Sequence, residues 1–250
     1  YGLTEALIAV PAYEQSSDQE VAFQAVDYIL RVLKKNMVFG MTWGRAMHEF
    51  VEQLAKDERL RSLSFQNVKV VPFLGTPGAI QSDSWNTTTY SNTLATKVGN
   101  LLHCASYNLS APMYVEGTKE KELIESIDEI AKVLHMAETA DIALIGIGSM
   151  QDDSSIIKAE IRTREEYKEL VRKGAVGEIV GRIYDKNGQT VDEDLKRKMV
   201  GISLDKIAKI PVRVGMSYGK DKIEAIKGAI AGGLVNVLVT DVPTAELLLK

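Results

Sequence analysis

The stretch Met37-Val-Phe-Gly-Met-Thr-Trp-Gly-Arg-Ala-Met-His-Glu49 joins an apolar run to a turn and then to an amphipathic run. Its pattern predicts a short strand over 37–41, a tight turn at Thr42, Trp43 and Gly44, and a helix from Arg45 onward. A strand-to-helix turn of this kind aims backbone N–H groups out of the sheet, where they suit a phosphate or carboxylate. Thr42 adds a hydroxyl and Arg45 a fixed guanidinium fork. These residue types speak for an anionic ligand before they speak for any reaction.

Other candidate groups sit in loops after predicted strands. Gly75-Thr76-Pro77-Gly78, Gly146-Ile147-Gly148-Ser149 and 217–222 each follow an apolar run. In an open α/β sheet, ligands bind outside the C-terminal strand ends, so these loops are candidates together with Thr42–Arg45. Lys222 opens a helix, a position where its charge opposes the helix dipole and a bound anion would offset that cost. Glu178, after Gly174-Ala175-Val176-Gly177, is a carboxylate able to accept sugar hydroxyls.

Several chemistries lack their residues. His48, His103 and His135, all in predicted helices, form no metal-ligand spacing. The single Cys104 makes an internal disulfide impossible and reads as a buried structural thiol beside Leu101 and Leu102. Asp152-Asp153 and Glu165-Glu166 are adjacent carboxylates that point to different sides. No Gly-x-Ser-x-Gly elbow, Walker loop or complete Gly-x-Gly-x-x-Gly fingerprint occurs. A net charge of −4 gives no general attraction to nucleic acid, and no apolar run is long enough to span a membrane. No cofactor, metal or membrane partner is expected, and a cytoplasmic location is.

The elements that must position these groups alternate. Strands are predicted at 5–10 (before Pro11), 37–41, 68–74, 141–147, 178–184, 212–216 and 235–240. Helices are predicted at 18–35, from 45 through Leu54, between Trp85 and Tyr107, from Leu123 to Thr139, and at 165–173, 220–231 and 244–249. Asp185-Lys-Asn-Gly188 is a hairpin-closing turn, which suggests an antiparallel addition to the sheet. Alternation of strand and helix argues for one α/β domain over 1–250, with a mostly parallel sheet covered on both faces.

Taken in order, Leu3-Thr-Glu-Ala-Leu-Ile-Ala-Val-Pro11, Gly40-Met-Thr-Trp-Gly-Arg45, Ala140-Asp-Ile-Ala-Leu-Ile-Gly-Ile-Gly148 and Gly174-Ala-Val-Gly-Glu-Ile179 form a specific set. Tyr184-Asp-Lys-Asn-Gly188, Gly201-Ile-Ser-Leu204, Lys222-Ile-Glu-Ala-Ile226 and Leu238-Val-Thr-Asp241 extend it over nearly the whole chain. The set resembles the effector-binding domain of the SorC/DeoR-type bacterial transcriptional regulators. That resemblance implies a three-layer αβα sandwich like the NagB/RpiA/CoA-transferase group, and a phosphorylated sugar as effector. It also implies operator DNA bound through a helix-turn-helix upstream of Tyr1, and a homo-oligomer. By the same resemblance Thr42, Gly44 and Arg45 match a phosphate-binding turn and Asn92 a polar position on the helix after the Gly75 loop. Glu178 then matches a sugar-contacting acid and Lys222 a phosphate-contacting lysine. Ala46 departs from the pattern where members often carry a second Thr, and Tyr218-Gly219 where a Gly-Gly pair is frequent.

The ligand-binding set is therefore Thr42, Trp43, Gly44, Arg45, Gly75, Thr76, Asn92, Gly148, Glu178 and Lys222, in a sensor of a phosphorylated sugar or polyol that is not an enzyme. The competing expectation is a sugar-phosphate isomerase or deaminase of the same fold, for which Glu178 is the strongest candidate for proton transfer.

Overall fold

A computed structural model describes residues 1–10, 17–77, 87–152 and 154–250. Pro11, Gly78, Trp85 and Asp153, named above, lie outside these. The strands are β1 (Glu5–Ala9), β2 (Val38–Met41), β3 (Lys69–Pro72), β4 (Ala105–Ser106), β5 (Ile142–Gly146), β6 (Gly148–Ser149), β7 (Ala175–Ile179), β8 (Arg182–Asp185), β9 (Val212–Met216) and β10 (Val237–Asp241). The helices are α1 (Ser17–Val32), α2 (Arg45–Leu54), α3 (Ser91–Leu101), α4 (Thr118–Glu125), α5 (Asp128–Glu138), α6 (Ser155–Lys158), α7 (Arg164–Arg172), α8 (Glu193–Lys198), α9 (Leu204–Ile207), α10 (Ile223–Ala231) and α11 (Val242–Leu248).

Seven strands form one sheet in the order β1-β10-β9-β5-β2-β3-β4, and every pairing in it is parallel. Period-two alternation along the strands builds the layers. Ile142 and Leu144 of β5 pack with Phe39, Met41, Val214 and Val239 under α1, α2 and α3, through Val26, Ile29, Phe50, Val51, Leu94 and Val98. Ala143 and Ile145 point the other way, to a core shared with Phe73, Ala137 of α5, Tyr167 of α7 and Ile226 and Ala229 of α10. This is the three-layer α/β sandwich, with a mostly parallel sheet, that the sequence predicts.

Local boundaries differ for identifiable reasons. The predicted helix from Leu123 to Thr139 is two, because Ile127 leaves helical geometry (ψ 124°) and caps α5. The predicted helix toward Tyr107 ends at Leu101; His103 adopts φ 51° and the chain turns at once into β4. The strand predicted over 178–184 is the hairpin β7–β8, reversed at Val180 (φ 55°) and Gly181 (φ 68°). The Asp185–Gly188 turn also forms, Gly188 N–H donating to Asp185 O at 2.9 Å. The antiparallel strands do not extend the main sheet. They make a separate three-stranded sheet, β6-β7-β8, over one of its faces.

Candidate functional site

The chain runs from β2 through β3 to β4 at one edge, then returns to place β5 on the other side of β2. This reversal opens a crevice at the C-terminal ends of β2 and β5, the place where doubly wound sheets take ligands. Its two walls are Thr42–Arg45 and Gly146–Ser149. They are tied together: Thr42 N–H donates to Leu144 O at 3.1 Å, and Gly146 N–H donates to Thr42 Oγ1 at 3.0 Å. Accepting that bond leaves the Thr42 hydroxyl proton to be donated elsewhere.

The amides of the turn are more committed than the sequence suggests. Gly44, at φ 104°, gives its N–H to Thr89 O at 2.9 Å. Among the described residues, the first-turn amides of α2, at Arg45, Ala46 and Met47, have no hydrogen-bond acceptor. The first intrahelical bond comes from His48 N–H to Gly44 O, and no side chain caps the helix. Uncapped amides beside an exposed Arg45 are an anion-binding arrangement. Trp43 turns inward; at 5% exposure it packs among the core residues that include Phe73 and Ile145. Tyr218 lies beside Arg45. Burial first, then a hydrogen bond to Asp18, raises its hydroxyl pKa, and the Arg45 charge opposes the shift.

The second cluster gathers on the β6–β7 side. Gly148 pairs with Glu178, and a Cβ at Gly148 would stand 2.8 Å from Glu178 Cγ, so glycine makes room for the carboxyl. Glu178 is 6% exposed, and its Oε2 accepts the Gly181 N–H at 3.0 Å. Burial pushes its pKa up to about 7, against the opposing pull of that N–H and of the Lys222 charge. Lys222 caps α10 and is partly exposed. Its Nζ lies 3.8 Å from Asp221 Oδ2, which also accepts a hydrogen bond from Ser149 Oγ at 2.9 Å. That bond locks the loop after β9 to β6.

Gly75, Thr76 and Asn92 form the third side. Gly75 is buried, its N–H bound to Val200 O at 3.1 Å. Asn92 is pinned from α3: its Nδ2 donates to Thr76 Oγ1 at 2.8 Å and Leu109 O at 3.1 Å, and its Oδ1 accepts from Leu109 N–H at 2.9 Å. The amide therefore holds the Thr76 loop in place rather than standing free toward the crevice.

Three features escape the sequence. The Ser149–Asp221 bond joins residues 72 apart and has no local signal. The Gly181 donor depends on a turn hidden inside an apolar run. The role of Arg182 has no local signal beyond its place as a lone charge within Ile179-Val-Gly-Arg-Ile-Tyr184. His48 lies 3.7 Å from Glu49 and 3.8 Å from Glu52 on the face of α2. Burial pushes the Cys104 thiol up to about 11, away from reactivity. A hollow of about 500 Å³ lined by Asn67, Lys69, His103 and Cys104 lies at the opposite end of the sheet. Among the described residues no cluster of three or more metal-ligating side chains occurs, and no helix is long and apolar enough to cross a membrane.

Comparison with known proteins accords with this fold. The family model described as "Putative sugar-binding domain" matches residues 1–250. The chain is similar to the sorbitol operon regulator of Klebsiella pneumoniae, at 30% identity over 254 residues covering 100% of this chain and 77% of that protein. It is similar to the transcriptional regulator LsrR of Escherichia coli strain K12, at 30% identity over 230 residues, 90% of this chain and 67% of that protein. The crystal structure of the full-length sorbitol operon regulator SorC from Klebsiella pneumoniae superposes with a TM-score of 0.88 at 28% identity, covering 100% of this chain and 78% of that one.

Proposed function

The chain belongs to the "Putative sugar-binding domain" family of SorC-type transcriptional regulators, and from that membership we propose that it senses a phosphorylated sugar or polyol. The observation that carries the reading is the crevice between β2 and β5. It sets an uncapped helix start and Arg45 on one wall, and a buried carboxyl with a lysine beside it across from them. In this reading the phosphate sits on the first turn of α2, with Thr42, Arg45 and Lys222. Glu178 accepts sugar hydroxyls, while Gly148 leaves it space and Asn92 fixes Thr76. Trp43, Gly44 and Gly75 shape the floor.

The sensing mechanism is differential binding. A ligand that bridges the loops favours the arrangement in which they are close, and so biases an oligomer, a dimer or tetramer, and the operator-binding helix-turn-helix modules attached to it. A cytoplasmic location follows from that role. The relatives carry names of regulators of a sorbitol operon and of transcription, which supports a sugar or polyol effector.

The test is a thermal-shift panel of hexose and hexitol phosphates, sorbitol phosphate among them, beside their unphosphorylated forms. Only the phosphorylated compounds are expected to stabilise the chain, and Arg45→Ala and Lys222→Ala are each expected to weaken the shift. Undiminished shifts in both variants would refute the site. A buried carboxyl titrating near neutrality also suits proton transfer. Steady turnover of sugar phosphates, abolished in Glu178→Gln, would move the conclusion to an isomerase or deaminase.

A further inference from the structure

Arg182 follows the Val180-Gly181 turn and is 3% exposed, yet among the described residues no carboxylate is a hydrogen-bond partner of it. Its guanidinium donates to four main-chain carbonyls. Nε reaches Ile202 O at 3.4 Å and Nη1 reaches Lys196 O at 3.2 Å; Nη2 reaches Met199 O at 3.1 Å and Gly201 O at 3.0 Å. Burial lowers its pKa to about 10, against the charges of Glu125 and Asp205, so the group is a cation at neutral pH. A buried charge with no carboxylate in hydrogen-bonding contact is expensive, and a planar fork with five donors is the side chain that can meet several fixed carbonyls at once.

The segment it grips holds the Gly75-Thr76 side of the crevice. Gly75 N–H donates to Val200 O at 3.1 Å and Ile202 N–H to Phe73 O at 2.9 Å. Val200 N–H donates to Met113 O at 2.9 Å, and Met113 N–H in turn donates to Thr76 O at 2.8 Å. At its other end Arg182 adjoins the turn that holds Glu178 through Gly181 N–H at 3.0 Å. Hydrophobic packing alone would leave these two sides of the site free to shift independently; four hydrogen bonds from one planar group do not.

We propose that Arg182 is a positioning residue that joins the Glu178 carboxylate and the Gly75-Thr76 loop into one unit, so that a change at either is felt at the other. This deepens the sugar-phosphate reading, on which it rests for its biological meaning, by identifying how two separate contacts are made to respond together.

The coupling is read without ligand, by NMR of the full chain across pH 5 to 9. In the wild type, the Gly181 amide, the Arg182 Nε–H and the Gly75 amide should shift with the same midpoint as the Glu178 carboxyl. Tyr184, which shares the field of Glu178, is held well above its ordinary range by burial and then by the Glu178 charge, out of this window. In Glu178→Gln all three responses should vanish. In Arg182→Lys, which keeps the charge but not the fork, the Gly181 response should persist while that of Gly75 is lost and its amide exchanges about tenfold faster. An unchanged Gly75 response in Arg182→Lys overturns the proposal. Should that variant not fold, an Arg182 Nε–H or Gly75 amide that ignores the Glu178 midpoint in the wild type overturns it equally. Because no ligand enters the measurement, its outcome is separate from whether sugar phosphates stabilise the chain.

Discussion

Replacing Glu178 by Gln should change how stability depends on pH, and the size follows from the burial of the carboxyl. The group titrates near 4.5 in an unfolded chain and near 7 in the fold. Between those values the native state holds a proton that the unfolded state has released. The difference in bound protons, unfolded minus native, is negative there, so stability falls as pH rises through the window. At about 1.4 kcal/mol per unit the loss reaches roughly 3 kcal/mol once pH exceeds about 7. Below 4.5 both states are protonated and the cost is absent.

Gln keeps the carbonyl oxygen that accepts the Gly181 N–H but cannot ionise. Its own cost is a constant offset in the comparison with the wild type and drops out of the trend with pH, while the other titrating groups cancel at each pH. Urea unfolding at pH 5, 6, 7 and 8 should therefore give a difference that moves in favour of Glu178→Gln by about 2.5 kcal/mol across the series. By the size scaling of a chain of this length that is roughly 5–10 °C in relative Tm. A difference that stays flat with pH would refute the assignment of a neutral-range titration to this carboxyl.

Other outcomes follow from single contacts. Gly148→Ala places a methyl group 2.8 Å from Glu178 Cγ. It should cost about 1–3 kcal/mol by overpacking and abolish the ligand-induced thermal shift, both measurable in one melting series. Thr42→Val leaves the Gly146 N–H without its acceptor, a loss of about 1–3 kcal/mol by urea unfolding, and should weaken stabilisation by sugar phosphates as well. Thr163→Ala removes the capping box of α7, where Thr163 Oγ1 accepts from Glu166 N–H at 3.2 Å. It should cost about 1 kcal/mol while leaving the ligand shift intact, which separates stability from binding. If Glu178 binds sugar hydroxyls as a carboxylate, calorimetric affinity should fall up to tenfold per unit as pH drops below 7; equal affinity at pH 6 and pH 8 would show that it does not.

The layers of the fold were legible because burial on both faces leaves an unbroken apolar record, as in Ile142-Ala-Leu-Ile145. The strand-turn-helix that carries the proposed anion corner was legible for a related reason: a strand, a glycine turn and a helix with Arg45 at its start are consecutive in the chain. What could not be read is what depends on left-handed backbone at residues that rarely adopt it. Val180 and His103 each take a positive φ, and each turned a predicted continuous element into two. Nor does composition reveal which polar groups are already spent. Gly44 N–H goes to Thr89 O, and the Asn92 amide has three protein contacts, so residues that suit a ligand by type serve to position their neighbours instead.

That distinction bears on why the domain reads as a sensor. An enzyme gains from polar groups free to meet a transition state, whereas a sensor gains from groups whose contacts differ between its states. Here most groups around the crevice are bonded across elements: Thr42 to Gly146, Ser149 to Asp221, Asn92 to Thr76 and Leu109, Arg182 to the segment behind Gly75. A ligand anchored at Arg45 and Glu178 would pull on elements that these bonds already connect to both layers of the sandwich. In the proposed mechanism, a crevice cross-linked in this way would turn a local contact into a displacement of whole helices, the kind of change a DNA-binding module could read.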